Sequence, residues 1–279
     1  MNTLFKNSRA NRIVMPALAF AACAVALTSC DDVPQNERYI EVERPQIARK
    51  VLVQEFTGQG CINCPQGAAL VHELQEQYPG SVIAVNLHPK NTQYTRPLGG
   101  MNLTSDIATV YYQYYKPSSL PSAVIDGAPA VSNVSLWTDA ILTALEVEAP
   151  AELTLHTDYD HATRELTVTY NALFSKLYES PLAINIWVME NGLVGPQYSG
   201  SNIVMEYVHN HVARTSLTGD WGVTIADSFI PDQEFTDSFS ITLDSEWVAE
   251  NCQVIAFLQN PSKVVEQSAE ADVINSDND

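Results

Sequence analysis

The chain has 279 residues, 46% of them hydrophobic, with 33 acidic residues against 14 basic ones and a formal charge of −19. Such length allows two ordinary domains with real cores. So acidic a surface repels phosphate backbones and anionic lipid head groups, which argues against nucleic acid or a basic membrane-binding patch, and five cysteines do not make a disulfide-stapled scaffold.

Residues 1–29 have the form of an export signal. Lys6, Arg9 and Arg12 give a basic start, Ile13 to Ala26 is mostly apolar, and Leu27-Thr28-Ser29-Cys30 closes the stretch. Those four residues resemble a bacterial lipobox, in which the cysteine is lipidated and becomes the first residue of the mature chain. Cys30 is therefore the expected lipid anchor, and several acyl chains on one residue hold a protein stably at a membrane. Residues 30–46 are polar, with Pro34 and Pro45, and read as a tether.

Residues 47–149 alternate strand-like and helix-like runs, the pattern of an α/β domain. Val51 to Phe56, Val82 to Leu87 and Ala123 to Ile125 read as strands. Gln66 to Gln77, Ser105 to Tyr115 and Leu136 to Val147 read as helices, the last ending before Pro150. Tyr111, Tyr112, Tyr114 and Tyr115 lie at a spacing that puts some of them in the core. After Pro150 the texture changes. Residues 150–267 carry six or seven short alternating runs separated by turn residues, which predicts an all-β sandwich of immunoglobulin-like type. Residues 268–279 read as a disordered acidic tail.

The chemistry concentrates at Cys61-Ile62-Asn63-Cys64, between the first strand and the first helix. A thiol at a helix start sits in the field of unpaired backbone N–H groups, which stabilise its thiolate. A second thiol three residues away can attack the first sulfur and close a ring, so the pair supplies both groups of thiol–disulfide exchange. Cys61, expected to be the more exposed, is the nucleophile in this reading and Cys64 the resolving thiol. The competing reading is a static Cys61–Cys64 disulfide. Cys252 lies beside an apolar run and reads as a small buried hydrophobe.

The order strand, CxxC, helix, strand, helix, strand, helix resembles the thioredoxin-like fold. That resemblance implies roles for two further residues. Glu55, six residues before Cys61, stands where thioredoxins carry a buried acid. It would have a raised pKa and shuttle the proton of Cys64. Pro121, after Leu120 and just before a strand, stands where the family has its cis-proline. It would keep a groove for an extended substrate. Along its whole length the chain resembles the outer membrane protein 28-related lipoproteins of Gram-negative bacteria. The matching residues are Glu55-Phe56-Thr57-Gly58, Cys61 to Pro65, Val124 to Gly127, and Tyr207-Val208-His209-Asn210-His211-Val212 with Arg214. This implies an outer-membrane location, with the thioredoxin-like and β domains joined; Asp31 and Asp32 after the anchor would favour inner-membrane retention by the rule of enteric bacteria, but in the bacteria that carry this family such an acidic start resembles an outer-membrane or surface export signal.

No cofactor or metal is expected. One CxxC gives only two zinc ligands, and Pro65 stands where haem attachment needs a histidine. His209 and His211, with Glu206 nearby, would share one strand face but are too few to hold a metal. Two functions stay open. One is a lipid-anchored thiol–disulfide oxidoreductase acting on exported protein thiols or disulfides. The other is a non-enzymatic surface lipoprotein whose β-sandwich binds a protein or glycan.

Overall fold

The computed structural model describes residues 46–274. The export signal, Cys30 and nearly all of the tether lie outside them. The first half runs β1 (Val51–Phe56), α1 (Cys64–Gln77), β2 (Val82–Leu87), α2 (Asp106–Tyr115), β3 (Ser122–Ile125) and α3 (Trp137–Leu145). The second half is all strand apart from one short 3-10 turn. It runs β4 (Ala151–Asp160), β5 (Glu165–Phe174), β6 (Leu182–Glu190), β7 (Leu193–Ser199), β8 (Asn202–His209), β9 (Val212–Ser216), β10 (Val223–Ala226), β11 (Glu234–Thr242), β12 (Cys252–Gln259) and β13 (Val265–Asp272). No helix among the described residues is long and apolar enough to cross a membrane.

Local sequence accounts for the helices. Cys64, Gly67, Val71 and Leu74 recur three or four apart and form the buried stripe of α1. Ser105 caps α2, its hydroxyl accepting from the Ala108 amide, and Lys116 ends it in the left-handed region. Trp137 and Ile141 bury α3.

The largest sheet has the order β13-β12-β6-β9-β2-β1-β3, with β10 also pairing β6. β1 runs parallel to β2 and antiparallel to β3. A second sheet, β11-β5-β4, faces the β13-β12-β6 end, and β7–β8 form a separate two-stranded hairpin. The sheet thus crosses residue 150, where separate domains were expected. The link is narrow: β9 lies beside β2 at Asn86 and Val212, and the Asn86 amide donates to the His211 carbonyl at 2.6 Å.

Alternation along the shared strands explains the crossing. In β6, Ile184, Ile186 and Val188 pack towards the second sheet, as do Val254, Ala256 and Leu258 in β12. The intervening Trp187, Met189, Ile255 and Phe257 pack with α2, Leu52 and the Cys61–Cys64 region. β6 and β12 are therefore buried on both faces, as the central strands of a covered sheet must be. Tyr111 of α2 stacks on Trp221 at 4.5 Å and meets Trp187 edge-on at 4.7 Å, joining the halves through aromatic contacts. Tyr114 is exposed.

The tail reading needs correction. Ser268–Asp272 belong to β13, antiparallel to β12 from Gln253 to Phe257. Ser268 and Ala269 are buried, and the Ser268 hydroxyl donates to the Lys50 carbonyl at 2.6 Å. Small residues such as Ser268, Ala269 and Ala271 fit a crowded sheet, although the acids around them read as solvated. Residues 275–279 lie outside the described part.

A candidate redox site beneath a hairpin

Cys61 and Cys64 are joined in a disulfide, with Cα atoms 5.4 Å apart. β1 delivers the chain to the site, and a turn bonds the Cys61 amide to the Gly58 carbonyl at 3.0 Å. Cys64 is the first residue of α1, with Pro65 in the opening turn, where a missing N–H costs little. The helix thus begins at Cys64, two residues before the expected start, and Cys61 precedes it.

The expectation that Cys61 is exposed is overturned. Cys61 is 2% exposed and Cys64 1%, while Ile62 between them is open to solvent. Both cysteine side chains join a core with Phe56, Tyr111 and Leu120, and the β7–β8 hairpin packs on the loop that carries them. The Tyr198 amide donates to the Gln59 carbonyl at 2.9 Å, and the Gly200 amide to the Ile62 carbonyl at 3.0 Å. Gln197 donates through Nε2 to the Cys61 carbonyl at 3.0 Å and to the Gly58 carbonyl at 3.2 Å. Gln59 answers from the other side, its Nε2 donating to the Pro196 carbonyl at 3.0 Å.

Glu55 lies on β1 and is 2% exposed. Among the described residues no lysine or arginine pairs with it, and its Oε1 has no hydrogen-bond partner. Burial without compensation pushes its pKa up to about 8, so the carboxyl keeps its proton at neutral pH. It presses against the first turn of α1. A Cβ at Gly67 would lie 2.9 Å from Glu55 Oε1 and 2.8 Å from the Trp137 ring, so only glycine lets the helix sit this close.

The Leu120–Pro121 bond is cis. Pro121 directly precedes β3, whose Ser122 and Ala123 lie opposite Phe56 and Glu55, so the proline sits at the same end of the sheet as the CxxC loop. Pro121 is itself buried, and the outer edge of β3 is taken at Ala123 by backbone bonds with Val131.

A cavity of about 290 Å³ opens behind the disulfide, with Glu55, Cys64, His88, Tyr207, His209 and His211 among its lining residues. Burial pushes the imidazole pKa of His88 down to about 3 and those of His209 and His211 to about 4, so all three rings are neutral. The rings of His88 and His209 stand edge to face at 6.3 Å. His209 and His211 do not share a strand face: His209 ends β8, and His211 turns in the left-handed region at φ 55°. Glu206 is exposed. Among the described residues no group of three or more histidine, cysteine, aspartate or glutamate side chains is placed to hold a metal ion. Cys252 is buried at the start of β12, and burial raises its thiol pKa to about 12, which leaves it a poor nucleophile.

The run from Tyr207 to Arg214 is the joint between hairpin, cavity and sheet. Tyr207 and His209 face the cavity. The Asn210 carbonyl accepts from Asn86 Nδ2 at 2.8 Å, and Val212 begins β9. Arg214 closes on the buried Glu190 carboxylate through Nε at 2.8 Å and Nη2 at 2.7 Å. Sequence reasoning missed the hairpin and with it Gln59 and Gln197. The available signal was Tyr198-Ser199-Gly200-Ser201-Asn202, a turn-forming run between two apolar ones.

No curated protein matches the chain. Among solved structures, HBP35 of Porphyromonas gingivalis matches with a TM-score of 0.64 and 18% identity, over 82% of this chain and 77% of that one. A structural-genomics protein of Agrobacterium tumefaciens matches with a TM-score of 0.51 and 14% identity, over 83% of this chain and 98% of the other. At such identities these likenesses speak for the fold alone. The family model described as outer membrane protein Omp28 matches residues 108–277, more than half of the chain and including the whole joint from Tyr207 to Arg214. This chain belongs to the outer membrane protein Omp28 family.

Proposed function

We propose that this protein is an outer-membrane lipoprotein, anchored through Cys30, whose Cys61–Cys64 couple exchanges with thiols or disulfides of exported proteins. In this reading the first half is a thioredoxin-like unit and the facing sheets of the second half an immunoglobulin-like sandwich that shares strands with it. One observation carries the proposal: the unpaired, protonated Glu55 carboxyl lines the same cavity as Cys64. A static disulfide gains nothing from a buried acid without a partner, which costs stability. An exchanging disulfide uses it.

The step is as follows. A substrate thiolate attacks Cys61 Sγ, the S–S bond breaks, and Cys64 Sγ leaves with the electron pair. Glu55 supplies its proton to that thiolate. A second substrate thiolate then attacks the substrate sulfur of the mixed disulfide, and Cys61 leaves. The substrate ends as a disulfide and the couple as a dithiol. The reverse sequence reduces a substrate disulfide, with the Glu55 carboxylate taking the Cys64 proton.

A second reading rests on the burial of both sulfurs: a structural disulfide in a lipoprotein that binds a protein or glycan through its β sheets. Turnover of insulin or glutathione disulfide separates the two. The exchange reading expects activity that falls at least a hundredfold in Cys61→Ser. Absence of turnover in the intact chain, with partner binding retained in Cys61→Ser/Cys64→Ser, supports the second.

A further inference from the structure

The hairpin is an excursion between two paired strands. Glu190 of β6 lies opposite Val212 of β9, and the chain leaves this pair at Asn191 and returns at His211. The two crossing points clasp each other. The Asn210 side-chain oxygen accepts from the Gly192 amide at 2.9 Å, and the Asn191 side-chain oxygen accepts from the His211 amide at 2.7 Å. Gly192 and His211 both have positive φ, 69° and 55°. One left-handed residue in each arm of the base, diagonally across from the other, gives the hairpin a pair of pivots. The base is fixed to the body, because Asn86 bonds both the Asn210 and His211 carbonyls.

The far end is held differently. β7–β8 joins no other sheet. Val194, Ile203, Val204, Met205 and Val208 all expose their side chains, while the inner face packs Gly195 and Pro196 against Met101 and Gly99. A lone two-stranded hairpin is at best marginally stable by itself. Its hold on the disulfide loop is polar and local: the Tyr198 and Gly200 amides, and the crossed amides of Gln59 and Gln197. Gln197 is 3% exposed and donates from one nitrogen to the carbonyls of Gly58, Cys61 and Tyr198. Such a contact holds a closed state without welding it, since each of these hydrogen bonds replaces one that the same groups would make to water.

We infer that the β7–β8 hairpin is a hinged lid over the disulfide, pivoting at Gly192 and His211 and latched by Gln197 and Gln59. Closed, it keeps small thiols from Cys61. Open, it uncovers Cys61 while the cavity wall formed by Glu55 and Cys64 stays in place on α1 and β1. The lid gives the exchange reading above its regulation and rests on that reading for its purpose, although the motion itself does not depend on it.

The test measures the rate at which dithiothreitol reduces the disulfide in the full chain, together with hydrogen exchange of the Tyr198 and Gly200 amides. Gln197→Ala is expected to raise the reduction rate about tenfold, as loss of one or two net hydrogen bonds implies. Gln197→Glu should raise it further, because a carboxylate would face three carbonyl oxygens. In the unaltered protein both amides should exchange well before those of β6 and β12. The lid is overturned if both variants are reduced at the original rate, or if the two amides exchange only with the core strands. The exchange reading fails separately. A lid that opens in these assays over a couple that never turns over insulin would retain the motion and remove the enzyme.

Discussion

Glu55 is the residue whose environment asks most of the fold. Its carboxyl lies between β1, the first turn of α1 and the Trp137 ring, with no compensating charge among the described residues. The consequence is a pH dependence of definite sign. In the unfolded chain the group releases its proton near 4.5, whereas in the fold it holds the proton to about 8. Between those values the folded state binds more protons than the unfolded one, so stability falls as pH rises through this window. Glu55→Gln keeps the shape and removes the titration. In urea unfolding, the unaltered protein should lose on the order of 3 kcal/mol relative to Glu55→Gln between pH 5 and pH 8.5. Parallel stability curves would mean that the carboxyl is solvated or paired. The acid was legible from its spacing to Cys61; its lack of a partner was not, because that depends on what α3 brings across the sheet.

At the scale of elements, β1 and β2 were legible to the residue, because each is a short, mostly apolar run interrupted only by Gln54 and Glu55 in β1 and Asn86 in β2. In the second half, Ala151–His156 and Glu165–Ala172 were legible because they alternate as strands with a solvent side do, and most of β6 and β12 was read as well, although neither has a wet face. β7, β8, β9 and β10 were not read. β8 carries Ile203, Val204 and Met205 in succession, so period two is lost, and β7 contains Gly195 and Pro196. Gly195 lets Met101 pack close, and the proline lies at a break in the β7–β8 register. These are the features of a hairpin shaped to lie on another part of the chain, and a rule based on isolated strands passes over them. The exposure assigned to Cys61 failed for a similar reason, since its burial depends on residues distant in sequence, Tyr111 and Leu120 in the core and the hairpin on the loop.

For the whole molecule, the decisive feature is that β6 and β12 have no solvent face. Trp187, Met189, Ile255 and Phe257 complete the core around Leu52, Val85 and Tyr111. Arg49 adds a second tie. Its Nε meets Asp126 Oδ2 at 2.7 Å inside the protein, and its guanidinium also donates to the Val265 carbonyl, joining the first strand region, the turn after β3 and β13. Residues 47–149 are therefore not expected to fold alone, despite their domain-like length and order of elements. Expressed as a fragment, they should lack near-ultraviolet circular dichroism and a cooperative unfolding transition, while residues 46–274 retain both. A fragment with a sharp transition would show that the shared sheet is incidental. Sequence texture marked the change at Pro150 correctly, but texture reports which faces are apolar and not what they touch.

All three scales converge on whether the sulfurs of Cys61 and Cys64 trade partners, and equilibration of the intact chain in glutathione buffers, with the oxidised fraction read by mass spectrometry, decides it most directly. A couple serving exchange should titrate between about −120 and −270 mV, the span of known exchangers. A disulfide that stays closed below about −300 mV, where structural disulfides lie, would contradict the account and leave Glu55, the cavity and the hairpin as parts of a scaffold.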